Sequence, residues 1–286
     1  MVAPSLILMA LVAAVPVAYA VWMSLHQYSV ITPGLTRFAG LDNYIGELTS
    51  SEWWNALGIT FLFTGVSVAL ELVIGLAMAL LLNLAIRGRA LIRTIVLFPY
   101  AILTVVSAIT WRAIFDPDLG LVHAIATSLG LSDSGVVWLG QDGYALAVAI
   151  FADVWKTAPF VALLLLAGLQ VIPEEVMEAA ELDGASTWSR FTRITLPLLR
   201  PAIVLALIFR TLDALRVFDL PFVLTRGAHG TETLSVLAYR QLREQQAIGE
   251  GSATAILTFI IVMIVSFIYI RFAGGNIRAV STRPNR

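Results

Sequence analysis

The stretch Glu178-Ala179-Ala180-Glu181-Leu182-Asp183-Gly184-Ala185, followed by Ile194-Thr195-Leu196-Pro197, lies between two long apolar runs. Its reading as a helical hairpin decides the rest. Pro173 suits a first helical position, and Glu174 and Glu175 fall in the first turn, where the helix dipole favours acids. At about 100° per residue, Glu174, Glu178 and Glu181 share one face, and Val176, Ala179 and Ala180 lie mostly on the other. Gly184, after Asp183, is a C-terminal stop. Ser186 caps a second short helix carrying Trp188, Phe191 and Ile194, which Leu196-Pro197 is expected to end. The small residues Ala179, Ala180 and Gly184 admit close approach by another backbone. A polar hairpin of this kind between membrane spans should dock against something at the membrane surface.

That the flanking runs are spans follows from composition. Of the 286 residues, 59% are hydrophobic and only 13% are charged. Soluble domains are usually about 45–50% apolar and about 25% charged, so the excess must face lipid. A spanning helix needs roughly 20 mostly apolar residues. Six segments qualify, at about 4–25, 57–84, 94–115, 144–171, 201–224 and 252–272. Pro16, Gly75, Pro99, Pro159, Gly168 and Pro221 lie inside them and mark kinks that membrane helices tolerate. The fold class is therefore all-α integral membrane, with six transmembrane helices. The first run has no positive region ahead of Pro4 and no cleavage site leading into a soluble domain, so it is a true span. Its abrupt start also admits a cytoplasmic tail ahead of it.

Orientation follows from the loops. Arg87, Arg89, Arg93, Arg190, Arg193, Arg200, Arg271, Arg278, Arg283 and Arg286 lie on one side, against Arg37, Arg226, Arg240 and Arg243 on the other. The 116–143 loop holds Asp116, Asp118, Asp133 and Asp142 and no basic residue. By the positive-inside rule, the arginine-rich side and both termini are cytoplasmic. Tyr19, Trp22, Trp53, Trp54, Trp111, Trp138 and Tyr144 gather at the outer ends, as an interfacial belt should. The chain divides into a first helix with its outer loop (1–52), a membrane domain (53–273) and a cytoplasmic tail (274–286). The hairpin is cytoplasmic, between spans four and five.

The residues of the hairpin, with Pro201 after it, resemble the EAA loop of type I ABC importer permeases. The resemblance is closest in the sugar-uptake branch, with its maltose, glycerol-phosphate and, above all, mycobacterial trehalose permeases. It extends to Gly40-Leu41-Asp42-Asn43-Tyr44, Trp53-Trp54-Asn55-Ala56, Asp153-Val154-Trp155-Lys156-Thr157-Ala158-Pro159-Phe160, Leu165-Leu166-Ala167-Gly168-Leu169, Phe209-Arg210-Thr211-Leu212-Asp213-Ala214 and Phe218-Asp219. It thus covers nearly the whole chain.

The resemblance implies a type I ABC importer permease core with a cytoplasmic coupling helix. Glu178, Ala179, Ala180, Asp183 and Gly184 would form the knob that enters a cleft on an ATP-hydrolysing subunit. Two copies of that subunit, a second homologous permease and an extracytoplasmic sugar-binding protein would be the partners. The chain has no G-x-x-x-x-G-K-[ST] phosphate loop. ATP and magnesium would therefore sit on the partner ATPase, with no cofactor in this chain. The implied function is uptake of a sugar, a disaccharide with trehalose favoured, across the bacterial inner membrane. Maltose-like oligosaccharides and glycerol phosphate stay open.

Ionisable residues inside the spans include Glu71, Asp153, Lys156, Arg210, Asp213, Arg216 and Asp219. Each costs at least about 2.5–3.5 kcal/mol at a helix centre, so they should face the bundle interior and pair. Arg210–Asp213, Asp213–Arg216, Arg216–Asp219 and Asp153–Lys156 have the spacing to do so. Two roles compete: internal salt bridges that fix packing, and a polar cavity for a hydroxylated cargo. Glu71 reads as structural. Through the resemblance, Trp155, Lys156, Thr157 and Phe160 around Pro159, with Arg210, Asp213 and Ala214 on span five, would line the substrate pathway.

Other classes are poorly supported. A net charge of -1 gives no argument for a nucleic-acid partner, and the absence of cysteine removes thiolate metal sites and cysteine nucleophiles. His26, His123 and His229 are too scattered to suggest a metal centre, and no G-x-S-x-G elbow suggests a catalytic site. The outer segments 26–55 and 225–251, the second with a helical stretch near Leu234–Glu244, would face the binding protein. A proton-coupled carrier using Glu71, Asp153 or Asp213 is the main alternative, and a non-transporting scaffold is a third. Neither has a use for the hairpin.

Overall fold

A computed structural model describes residues 3–29, 31, 36–84, 89–129 and 137–281. Arg87, Asp133 and the end of the tail, 282–286, lie outside the described residues. Helix α1 (Ala3–Ser24) leads through a two-stranded antiparallel ribbon, β1 (His26–Gln27) and β2 (Arg37–Phe38), into the short α2 (Asp42–Thr49). The long α3 (Ser51–Asn83) follows, opened by the Ser50 hydroxyl accepting from the Glu52 N–H. Next come α4 (Arg89–Ala101), α5 (Thr104–Ile114) and α6 (Leu121–Ser128), then α7 (Tyr144–Leu169). The hairpin is α8 (Glu174–Leu182) and α9 (Thr187–Arg190). The chain ends with α10 (Leu196–Ala214), α11 (Asp219–Thr225), α12 (Leu234–Tyr239) and α13 (Ile248–Ser281).

Among the described residues, four helical stretches are long and apolar enough to cross a membrane: 51–83, 144–169, 187–214 and 248–269. The third expected span is not one straight helix. It is α4 and α5, bent by 87° at residues 102–103. Pro99 causes the weakness, because it withholds an N–H and its ring crowds the carbonyl four residues back. Two residues after Ala101 the chain is extended at Leu103 before α5 begins.

Span five also differs from its expected limits. Its helix does not start afresh after Leu196-Pro197. It runs unbroken from Thr187 to Ala214 through a π-helical segment, Phe191–Thr195, with the Leu196 N–H bonded to the Phe191 carbonyl. The wider π turn carries the helix past Pro197, whose ring would otherwise crowd a regular α-turn. At its far end the helix stops at Ala214, ten residues early, and α11 is a separate short helix. A continuous helix would set the Pro221 ring against the carbonyl of Val217; in α11, Pro221 occupies the first turn, where it is tolerated.

The centre of the bundle is α7, and α3 and α10 pack closely against it. A Cβ on Gly75 of α3 would lie 2.7 Å from Val161 Cγ1, and one on Gly168 of α7 would lie 2.5 Å from the Ala202 Cβ. Small residues at these two crossings let the backbones approach, which is how membrane helices gain packing energy without a hydrophobic driving force. The outer segments are stapled to the bundle. The Leu234 N–H at the start of α12 donates to the buried Thr60 hydroxyl of α3 at 2.9 Å. Gln241 donates to Glu47 of α2 at 2.8 Å and accepts from Thr254 of α13 at 2.7 Å. The expected helical stretch near Leu234–Glu244 is α12 continued by a second π-helical segment, Arg240–Glu244.

Candidate functional site

Three helices deliver charge to one buried point. Glu71 comes from the middle of α3, Asp153 from α7, and Arg210 and Asp213 from the last turns of α10. Arg210 grips Glu71 with two parallel bonds, Nε to Oε2 at 2.5 Å and Nη2 to Oε1 at 2.8 Å. Its Nη2 also donates to Asp153 Oδ2 at 3.0 Å, and its Nη1 to Asp213 Oδ2 at 2.6 Å. The Thr157 hydroxyl donates to Glu71 Oε1 at 2.6 Å. Glu71 is fully buried and Arg210 nearly so. A planar guanidinium with a fork of donors suits this bidentate geometry, whereas an ammonium would supply one point charge.

The other expected pairs do not form. Asp213–Arg216 and Arg216–Asp219 fail because α10 ends at Ala214, before Arg216 and Asp219, so helical spacing no longer applies. Arg216 instead donates from Nε to the Leu212 carbonyl at 3.0 Å. Asp153 turns to Arg210 rather than to Lys156. Glu71 is the centre of the cluster, joining three helices; only its mid-span position in the sequence hints at this.

Beside the cluster lies a polar cavity of about 150 Å³, walled by α7, the end of α10 and the turn into α11. Lys156, Thr157, Arg210, Asp213 and Ala214 meet there as a group. Asp213 keeps most of its side chain open at this wall while it holds Arg210. The Lys156 ammonium forms no ion pair among the described residues and sits 5.4 Å over the Tyr100 ring. Thr104, Arg216, Phe218 and Asp219 join the wall. Thr104 is the first residue of α5, just after the 102–103 bend.

Trp155 stands elsewhere, and Phe160 is outside the cavity wall but next to Lys156 through the Tyr100 ring they share. Along α7, residues 153, 156 and 157 share a face, and Trp155, two residues after Asp153, lies on nearly the opposite one. Trp155 borders a larger apolar cavity of about 590 Å³ between α3, α4 and α7, with its ring edge-on to Trp111 at 5.4 Å. Phe160 is a turn further along, stacked on Tyr100 at 5.1 Å and edge-on to Phe209 at 6.4 Å.

The hairpin is the second candidate element. Pro173 is the residue before α8 rather than its first, and Glu174 and Glu175 occupy the first turn. At its end the Gly184 N–H bonds to the Glu181 carbonyl and the Ala185 N–H to the Ala180 carbonyl. This double closure, with Gly184 at φ +76°, is a Schellman motif. The Ser186 hydroxyl accepts from the Ser189 N–H to start α9. Arg190 Nη1 reaches Glu181 Oε2 at 2.7 Å and closes the two arms. Glu178, Ala179, Asp183 and Gly184 are exposed and Ala180 is half-buried. Leu182 and Trp188 are apolar yet 89% and 73% exposed, so the tip presents both charge and grease to a partner. From Thr187 the π-helical segment runs α9 without a break into α10 and Arg210, and the Glu181–Arg190 bridge holds α8 to α9.

Among the described residues no group of His, Cys, Asp and Glu could hold a metal ion. Outside the membrane, Asp116 accepts the N–H groups of Leu119 and Asp118, which holds its carboxyl below the ordinary value.

Residues 71–278 match the family described as binding-protein-dependent transport system inner membrane component. The chain is 44% identical over 275 residues to the trehalose transport system permease protein SugA of Mycobacterium tuberculosis, covering 96% of this chain and 88% of that protein. It is also 44% identical over 273 residues to the trehalose/maltose transport system permease protein MalF of Thermococcus litoralis, covering 95% and 91%. A solved bacterial ABC transporter involved in import of the acidic polysaccharide alginate has a similar fold, with a TM-score of 0.82 at 22% identity over 98% of this chain and 94% of that one. The alginate transporter in complex with its pentasaccharide-bound periplasmic protein aligns with a TM-score of 0.74 at 25% identity, over 86% and 85%.

Proposed function

The chain belongs to the family of binding-protein-dependent transport system inner membrane components, and from that premise we propose that it takes up a disaccharide, with trehalose favoured. It is a permease subunit of an ABC sugar transporter, not an ATPase. In this reading it lies in the bacterial inner membrane with six spans and both termini cytoplasmic. It pairs with a second, homologous permease, two ATP-binding subunits and an extracytoplasmic sugar-binding protein. ATP and magnesium belong to the ATPase.

The observation that carries the coupling is the exposed hairpin joined by continuous helix to the buried cluster. Glu178, Ala179, Ala180, Asp183 and Gly184 seat in the ATPase, and closure of the ATPases moves α10 with them. Arg210 already donates to three carboxylates, so it acts as a clamp. The groups left to meet a hydroxylated cargo are Lys156 and the open side of Asp213, with Ala214 giving room, while the Thr157 hydroxyl is committed to Glu71. Trp155 is assigned to packing, and Phe160, stacked on the Tyr100 ring beside Lys156, forms an aromatic flank of the pathway.

The test is uptake of labelled trehalose by proteoliposomes holding both permeases, the ATPase and the binding protein. Uptake should need ATP and the binding protein. Gly184→Asp should abolish uptake and the substrate-stimulated ATPase rate. ATP-independent uptake driven by a proton gradient would instead favour a secondary carrier. One observation favours a second reading, an anionic sugar derivative such as glycerol phosphate: the Lys156 ammonium lacks a carboxylate partner. Competition by such a compound against trehalose would reveal it.

A further inference from the structure

The short helix α2 is amphipathic the wrong way round for a helix packed on a protein. Its polar residues Asn43 and Glu47 are buried, each 6% exposed. Its apolar residues Leu41, Ile45 and Leu48 are 63%, 58% and 42% exposed. At spacings of four and three these three residues form one stripe. The buried face is satisfied by the bundle. Asn43 Nδ2 donates to the carbonyls of Ser24 at 2.7 Å and His26 at 3.0 Å, and Glu47 accepts from Gln241. The Tyr44 hydroxyl meets that of Ser24 at 2.5 Å. The polar face is thus fixed inward, and the stripe faces outward.

The position of α2 says what covers the stripe. It bridges the end of α1 at Ser24 and the start of α3 at Ser51, and it packs on α13 near that helix's first turn. On the spans read from the sequence, these are the outer ends of three membrane helices. Exposed Trp22 and Trp54 flank it, and the Trp54 Nε1 donates to the Leu48 carbonyl at 2.9 Å. Tryptophan with its ring in apolar surroundings and its N–H on a polar group suits the headgroup boundary. A soluble partner that docks and leaves would strand the apolar stripe in water, which folded surfaces avoid.

We propose that α2 is a bilayer anchor, with Leu41, Ile45 and Leu48 set into the acyl–headgroup boundary of the leaflet beside α1 and α3. The anchor holds the outer network of Glu47, Gln241 and Thr254 at a fixed depth while the helices below it move.

The chain has no cysteine, so a single introduced one can carry an environment-sensitive fluorophore. Ile45→Cys and Leu48→Cys are labelled in the assembled transporter, with Gly46→Cys as control. Gly46 is exposed on another face, with open space around an added Cβ. The complexes are placed in phosphatidylethanolamine–phosphatidylglycerol vesicles, with or without acyl chains brominated near the carbonyl. The expected result is that labels at 45 and 48 lose most of their emission to brominated lipid and resist aqueous iodide, while the label at 46 is quenched by iodide. Equal iodide quenching at all three positions would overturn the proposal. So would shielding from iodide without quenching by bromine, or shielding that appears only with binding protein, because a protein would then cover the stripe. Leu41→Cys reports the same face should either variant fail to assemble.

Discussion

Arg210 and Glu71, on helices α10 and α3, form a two-bond pair in the interior of the bundle, at 2.5 Å and 2.8 Å. The pair joins helices 139 residues apart in the chain, and Asp153 ties in α7. Breaking a buried pair by removing one partner strands the other charge and costs about 3–5 kcal/mol. Arg210→Met should therefore lower the thermal midpoint of the detergent-solubilised complex sharply. Glu71→Gln should cost less, because the amide oxygen still accepts. The two changes should be non-additive by about 0.5–3 kcal/mol in a double-mutant cycle. Additivity would show that the pair does not act as a unit.

Lys156 and Trp155 are neighbours in sequence but occupy different cavities. Lys156→Met is expected to raise the KM for uptake several-fold with little change in thermal stability. Trp155→Ala is expected to lower stability, by about 3 kcal/mol or less given its partial exposure, with KM unchanged. Uptake kinetics paired with thermal denaturation separate the two. The reverse pattern would place cargo in the apolar cavity.

Gly184 is held at φ +76° with nothing within 4 Å of an added Cβ. Within this chain, a defect from Gly184→Ala comes from the left-handed backbone, at roughly 1–2 kcal/mol, and not from crowding. The variant should keep membrane assembly but weaken ATPase association. Inserting one alanine after Trp188, in the regular α-helical part of α9, should rotate the hairpin by about 100° relative to α10. Folding of the membrane part should survive, and substrate-stimulated ATP hydrolysis should fall to the basal rate. Normal stimulation in the insertion variant would refute rigid transmission through this segment.

Glu47 gives a pH dependence. Burial pushes its carboxyl above the ordinary 4.5, only partly offset by the Thr254 and Gln241 hydrogen bonds. A raised value in the folded state means the fold prefers the protonated acid. Its contribution to stability is complete below about pH 4.5 and is lost as pH rises through the raised value. Glu232 shifts the same way through burial, against the opposing pull of Arg240. Glu47→Gln should flatten the loss of thermal stability as pH rises above about 4.5. An unchanged pH profile would show that Glu47 does not titrate in this range.

Much of this molecule is legible in the chain. The spans show because lipid demands long apolar runs, and the hairpin shows because its cap, stop glycine and charges are local signals that the structure reproduces at Ser186, Gly184 and Glu174–Glu175. The breaks were less visible. Pro99 and Pro221 signalled kinks, but not a bend of 87° or a helix ended at Ala214. Pro197 suggested a helix end where a π turn carries the helix through.

By itself, then, the sequence determined the membrane class, the helical hairpin and the presence of costly buried charge, because each depends on residue type and short spacing. Only the tertiary structure decided who pairs with whom. Arg210 chooses Glu71 and Asp153 from distant helices, which no spacing rule along one helix can express. The face of α7 that meets α10 separates Lys156 from Trp155. The packing of α2 on α13 buries Glu47 and leaves Ile45 bare. A charge or an apolar stripe announces a need in the sequence; the partner that meets it is set by which surfaces the fold brings together.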